Sequence, residues 1–169
     1  MITRLTSVPA VELADLLADA VEGGASVGFL ASPDHAGLVA WWKALAPAVE
    51  DGTLLLWAAR VDDRIVGTVQ VRLTSLPNGK HRAELAKLLV HRCARGRGIG
   101  RELMRTAERG AAALGITLLV LDTETDSPAE GMYVSLGWTK VGVVPDFALD
   151  PGGVMRPTTV FYKAIADAR

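Results

Sequence analysis

The residues best suited to chemistry lie in one continuous run, Leu88-Leu89-Val90-His91-Arg92-Cys93-Ala94-Arg95-Gly96-Arg97-Gly98-Ile99-Gly100-Arg101. A strand pattern, a glycine-rich turn and an amphipathic helix pattern follow one another directly. Glycines let the backbone approach a bulky anion, and a helix N-terminus aims unpaired N–H groups and a partial positive charge at it. Arg95, Arg97 and Arg101 add full charges, so a pyrophosphate is the guest this arrangement suits. Gly96, Gly98 and Gly100 are spaced G-x-G-x-G. Arg101 stands where the dinucleotide fingerprint needs its third glycine, and no Gly-Lys-Ser/Thr follows, which excludes both familiar nucleotide loops.

The surrounding charge is local rather than global. The 169 residues carry 18 Lys+Arg against 19 Asp+Glu, a net of −1, which argues against general nucleic-acid binding. Six arginines nevertheless fall between His91 and Arg109, at 92, 95, 97, 101, 105 and 109, against only Glu102 and Glu108. Six acids follow between Leu121 and Asp150, against Lys140 alone. Such runs are either solvated faces or an anionic-ligand side set beside a cation-binding side. No aromatics interleave the arginines, as a single-strand nucleic-acid surface would require.

These residues must be positioned by one mid-sized domain. A 17.9 kDa chain with 50% hydrophobic and 22% charged residues buries enough surface to fold without metal or disulfide staples. Cys93 is the only cysteine, which excludes an internal disulfide and cysteine-built zinc sites, and His35, His81 and His91 lack metal-ligand spacing. The longest apolar run, Leu54 to Ala59, is too short for a membrane span, and Glu12, Asp15, Asp19 and Glu22 interrupt any secretory signal. A cytoplasmic domain is expected.

Hydrophobic spacing predicts a helix opened by Ser7 and Pro9 with Leu13, Leu16, Leu17 and Ala20 on one face. A second helix begins at Ser32-Pro33 and carries Leu38, Trp41/Trp42, Leu45 and Val49. Strands Thr53 to Val61 and Ile65 to Leu73 form a hairpin at Asp62-Asp63, and a strand from Arg82 to Val90 follows the Pro77-Asn78-Gly79 turn. The helix after the glycine turn presents Leu103, Met104, Ala107, Ala111 and Leu114 and stops at Gly115. Ile116 to Thr123 reads as a strand buried on both faces. Ser127-Pro128-Ala129-Glu130 reads as a capping box opening a short helix that Gly137 closes, and Thr139 to Val143 and Thr158 to Lys163 are final strands separated by a Pro/Gly/Asp loop. The order ααβββαβαββ defines a single-domain α/β fold, with a mixed, mostly antiparallel central sheet and flanking helices.

Arg95-x-x-Gly98-x-Gly100 resembles the Q/R-x-x-G-x-G/A pyrophosphate signature of the GNAT (Gcn5-related) N-acetyltransferases, and Ala129-x-x-x-Tyr133 with Leu136-Gly137-Trp138 resembles that family's next helix. The resemblance implies acetyl-CoA as co-substrate and no metal. It further implies a cofactor held by Arg95, Gly96, Arg97, Gly98, Gly100 and Arg101. Carbonyl polarisation would come from a backbone N–H within Leu88, Leu89 and Val90, a strand the family opens with a bulge. Tyr133 is implied to face the cofactor sulfur and protonate the thiolate; a phenol titrating near 10 is well matched to that task. Asp126 stands where many members carry Asn. Gly23 to Phe29, Leu54 to Trp57, Pro77 to Gly79, Arg82 to Glu84, Leu121 to Glu124 and Pro157-Thr158 resemble one member in particular, an enzyme that inactivates a β-lactam toxin.

Acetyl transfer to an amine needs a neutral amine, a polarised carbonyl and a protonated leaving thiolate. If the strands carrying Glu84 and Asp122 are neighbours, both carboxylates line one cleft. Either could accept the amine proton while the other holds the ammonium. Their structural alternatives are a pair of Glu84 with Lys87 or Arg82, and Asp122 capping the next loop. Phe29 and Trp57 could wall the acceptor pocket, although tryptophans and phenylalanines of this pattern are mostly core. Cys93 reads as a small space-filler with no histidine base positioned beside it, and His81 and His91 as surface residues. The partner expected is a small-molecule amine, with no nucleic acid and no membrane, and a late edge strand could pair two copies as a homodimer. A non-catalytic acyl-CoA sensor on the same scaffold would instead bind cofactor without turnover.

Overall fold

The computed structural model describes residues 1–31 and 34–165. Its elements run β1 (Ile2–Leu5), α1 (Ala10–Glu22), α2 (His35–Ala44), α3 (Ala46–Glu50), β2 (Leu54–Val61), β3 (Arg64–Leu73), β4 (Arg82–Val90), α4 (Ile99–Ala112), β5 (Leu118–Glu124), α5 (Pro128–Ser135), β6 (Thr139–Leu149) and β7 (Met155–Ala164). Seven strands form one sheet in the order β1-β2-β3-β4-β5-β7-β6. Every neighbouring pair is antiparallel except β4 and β5.

Strand alternation divides the core into two layers. Leu54, Leu56 and Ala58 turn toward α1 and α2, where Leu13, Leu16, Leu17, Leu38 and Trp42 bury them. Leu55, Trp57 and Ala59 turn the other way, onto Leu103, Met104 and Ala107 of α4. Trp57 packs so closely on α4 that a Cβ at Gly110 would overlap its indole. Asp62 and Asp63 both take positive φ, as the two central residues of a tight hairpin turn require.

Several expectations are corrected. The single helix expected through Val49 breaks at Leu45, because Pro47 has no N–H for the carbonyl four residues back and its ring crowds that carbonyl. Its expected start, Ser32-Pro33, lies outside the described residues; Asp34 caps α2 through the Ala36 N–H at 3.2 Å. β1 adds an unforeseen outer strand, pairing Ile2 with Ala59. β5 is buried on one face, not both: Leu119 and Leu121 point inward while Asp122 is exposed. Leu114 lies beyond α4 and is exposed. Ser127 does not cap α5 with its side chain; Glu130 reaches past it to accept from the Asp126 N–H at 2.7 Å. Much of the expected Pro/Gly/Asp loop is strand, since β6 continues to Leu149 through an irregularity at Val144 to Ala148. Pro145 and Asp146 are tolerated there because β6 is the sheet edge.

Candidate active site

β4 and β5 pair only from Arg82–Leu118 to Glu84–Val120. Beyond those three register positions the two central strands have no further pairs. Within the same stretch β4 carries a bulge: Gln70 faces Ala86 and Thr68 faces Leu89, so Lys87 and Leu88 together oppose Val69 alone. Lys87 takes a φ of +50° to make it. No glycine marks this position, so the sequence could not locate it.

A cavity of about 320 Å3 opens where the strands part. Glu84 and Leu88 reach it from β4, Asp122 from β5 and Tyr133 from α5, so the three expected acid–base residues share one space. Neither alternative pairing of the acids holds. Glu84 lies 3.7 Å from Arg72 on β3, not on Lys87 or Arg82, and is half exposed. Asp122 accepts from the Thr158 hydroxyl of β7 at 2.8 Å, and that hydroxyl is also 2.9 Å from the Thr123 carbonyl. Tyr133 is 5% exposed, with its ring against Trp138 and Phe161. Burial raises its phenol well above the ordinary value, and the Asp122 carboxylate adds to the effect, so Tyr133 stays neutral. It is a weaker acid than the sequence reading assumes.

The glycine turn sits at the end of β4. A single 3-10 turn at Arg92–Ala94 leads through Gly96 and Gly98, both left-handed, to α4. Gly98 is the N-cap residue at φ 78° and provides no side-chain cap. The first helical bond runs from the Glu102 N–H to the Gly98 carbonyl at 3.1 Å, so the N–H groups of residues 99–101 have no helical partner. Nothing lies within 4 Å of a Cβ position at Gly96 or Gly98. This open cradle of unpaired donors beside the exposed Arg95 and Arg97 fits a pyrophosphate. Gly100 lies closer in, with Met132 and Val90 near its Cβ position. Arg95 Nε donates to the Val90 carbonyl at 3.1 Å, and Arg101 is drawn toward α5, donating to Ser135 Oγ at 2.7 Å. Leu89 is buried on the α1 side and Val90 packs toward α4, so these two contribute backbone, not side chain, to the site.

The two aromatics expected to wall the pocket do not line it. Trp57 is buried beneath α4, because β2 alternation turns it to that face. Phe29 stacks edge-on against Trp41 at 5.4 Å, outside the lining. Cys93 is exposed, and a histidine does lie beside it: His91 Nδ1 is 3.0 Å from its Sγ and accepts from its N–H at 3.2 Å, capping the 3-10 turn. His91 is half-buried, with Nε2 3.4 Å from Asp19, whereas His81 is exposed as expected. Asp126 has a φ of +63°, a conformation asparagine and aspartate tolerate better than most residues.

Sequence reasoning missed Arg72, Lys87, Thr158 and Arg156 as lining residues, since only the register brings them there. It also missed Asp19. This buried α1 carboxylate accepts from the Arg92 N–H at 2.9 Å and from Arg92 Nε at 2.8 Å, tying α1 to the start of the cradle. Burial opposes its charge, but the Arg92 hydrogen bonds and the neighbouring His91 and Arg92 outweigh it and hold the carboxyl below its usual range. A depressed carboxyl stabilises the fold fully above the unfolded value near 4 and loses that contribution as pH falls through the lower folded value. Asp19→Ala, which leaves the half-exposed Arg92 with Glu22 as its remaining carboxylate, is expected to cost about 1 kcal/mol. Urea midpoints at pH 7 and pH 3 check this: the variant's deficit should shrink at the acid end.

No helix among the described residues is long and apolar enough to cross a membrane. Nor does any group of three or more His, Cys, Asp or Glu among them stand ready for a metal.

A seven-stranded, mostly antiparallel sheet, parted at its centre over an acid–phenol cavity and closed by a glycine–arginine helix start, defines an acyltransferase-like α/β class. The family model "Acetyltransferase (GNAT) family" matches residues 15–138, and the chain belongs to that family. N-acetyltransferase 8B of Rattus norvegicus is 34% identical over 88 residues, 51% of this chain and 40% of the relative, so the chain spans less than half of the curated relatives it matches first. Among solved structures, ribosomal-protein-alanine N-acetyltransferase from Brucella melitensis shares the fold at a TM-score of 0.81 and 21% identity, over 97% of this chain and 99% of that one. YncA from Salmonella typhimurium, solved with its cofactor acetyl-CoA, does so at 0.77 and 17%, over 100% and 96%.

Proposed function

We propose that this chain transfers the acetyl group of acetyl-CoA to the amine of a small molecule. The observation that carries the reading is the convergence of Glu84, Asp122 and Tyr133 on one cavity at the parted strands, with the pyrophosphate cradle at the end of the same strand. Acetyl-CoA supplies the activated thioester. Arg95, Arg97 and the N–H groups of residues 99–101 hold its pyrophosphate, and backbone N–H groups at the Lys87-Leu88 bulge face the carbonyl that must be polarised. Asp122, oriented by Thr158, accepts the proton the amine loses, and Glu84 holds the amine. Tyr133 gives its proton to the departing sulfur.

The finer reading is an acceptor of the β-lactam or amino-acid-like toxin class, by resemblance to the tabtoxin resistance protein. In its support, Ser26 to Gly28, Glu84, Leu121 to Glu124 and Pro157-Thr158 all line the cavity, and all belong to segments that carry the resemblance. A cytoplasmic location goes with this reading. So does a homodimer paired across β6, whose Val141, Val143 and Phe147 are exposed; sedimentation velocity tests the pairing.

Thiol release from acetyl-CoA, with tabtoxinine-β-lactam and a panel of lysine-like amines as acceptors, tests the whole. Turnover confined to the toxin supports a resistance enzyme. Cofactor binding without turnover on any acceptor overturns the transferase reading in favour of an acyl-CoA sensor.

A further inference from the structure

Six charged side chains line the acceptor cavity: Arg72 from β3, Glu84 and Lys87 from β4, Asp122 and Glu124 from β5, and Arg156 from β7. The remaining elements around it add no charge; Ser26 to Gly28 and Tyr133 are neutral, and Trp41 of α2 offers its ring. Two of the three cations have carboxylate neighbours. Arg72 lies 3.7 Å from Glu84, and Arg156 Nε donates to Asp150 at 2.8 Å.

Lys87 differs. Among the described residues no carboxylate forms an ion pair with it; its Nζ donates to the Val27 carbonyl at 2.7 Å and lies 5.4 Å from the Trp41 ring centroid. The bulge that gives it a left-handed backbone also aims it there, and a carbonyl and a ring face leave its positive charge uncancelled. Burial pulls its ammonium below the ordinary lysine value and Arg72 adds to this, while Glu84 and Asp122 partly restore it.

That charge decides what the cavity does to an amine. Three carboxylates, Glu84, Asp122 and Glu124, sharing a half-enclosed space would bind an acceptor as its ammonium, which has no lone pair and cannot attack a carbonyl. A cation about 6–12 Å away, across a cavity of this size and in a medium of effective dielectric about 20, disfavours that ammonium by roughly one to two pH units. We propose that Lys87 is the specificity-determining residue that makes the acceptor shed its proton on binding, and that the acceptor is a small amine without a second cationic centre. The inference rests on the transferase reading and assigns that reading its substrate class.

The test is calorimetric binding of n-butylamine and 1,4-diaminobutane at pH 9, with coenzyme A present, in buffers of different ionisation enthalpy. The wild-type chain should bind the monoamine with release of about half a proton, and the diamine at least tenfold more weakly. Lys87→Arg should behave alike. Lys87→Met should gain at least tenfold in diamine affinity and bind butylamine with almost no proton release. Unchanged diamine affinity in Lys87→Met overturns the proposal. So does wild-type amine binding without proton release, a measurement that needs no variant, and so does binding of neither amine. Any of these with acetyl transfer intact leaves the transferase reading standing; loss of acetyl-CoA affinity in the wild-type chain would sink that reading instead.

Discussion

Gly98→Val is expected to lower acetyl-CoA affinity by at least 100-fold, about 2.7 kcal/mol, in equilibrium dialysis. Gly98 combines two roles. It is the residue whose carbonyl receives the first hydrogen bond of α4, and it does so at φ 78°, where a β-branched side chain is a genuine outlier. The fold leaves open space around its Cβ position, so the valine meets no steric wall within the protein. Backbone strain of about 1–2 kcal/mol accounts for part of the loss, and the branched side chain, standing in the open space through which the anion must approach the backbone, supplies the rest. The chain should therefore still fold, and Gly98→Ala should lose less affinity than valine does. Full affinity in the valine variant would remove the pyrophosphate from this turn.

Tyr133→Phe should reduce kcat at least tenfold, a barrier increase of about 1.4 kcal/mol, with little change in acetyl-CoA affinity. Phenylalanine keeps the ring packing on Trp138 and Phe161, so the variant isolates the hydroxyl. Tyr133 borders the cavity, so its hydroxyl is within reach of a ligand there. Because burial raises its titration, Tyr133 stays protonated through the whole ordinary assay range and gives no alkaline loss of its own below pH 10. It transfers its proton only as charge develops on the leaving sulfur. Stopped-flow thiol release with dialysis in parallel separates the two quantities; unchanged turnover would take Tyr133 out of the chemistry.

The parts of this site that were legible in the sequence are those built from neighbours in the chain. The cradle is one: its glycines answer to local backbone demands, and its arginines lie within seven residues of one another. β4 agrees with the sequence reading residue for residue, and the β2–β3 hairpin departs by a residue at each end, because alternation and turn chemistry are local signals. The acid pair was legible only conditionally, since its meeting depends on β4 lying beside β5. What was not legible depends on register or on left-handed backbone at non-glycine residues. Lys87, Asp126 and Asp146 all take positive φ without a glycine to announce it, which hid the bulge and the true length of β6. Trp57 was misassigned because one step of strand alternation separates the acceptor face from the core beneath α4. Asp19 is 73 positions from Arg92, and no spacing rule connects them.

The parting of β4 from β5 also bears on how the molecule holds together. Strands β1 to β4 form one antiparallel block and β5, β7 and β6 another, and three register positions are the whole of the ladder between them. The boundary between cooperative units therefore runs through the middle of the sheet instead of along its rim. The amides of β4 beyond Glu84, on the flank facing β5, sit at the centre of the molecule yet without a strand partner, and a ligand lying along them acts as a missing strand. On the proposed function, substrate binding and completion of the sheet would be the same event, and the seam of the fold would also be its workplace.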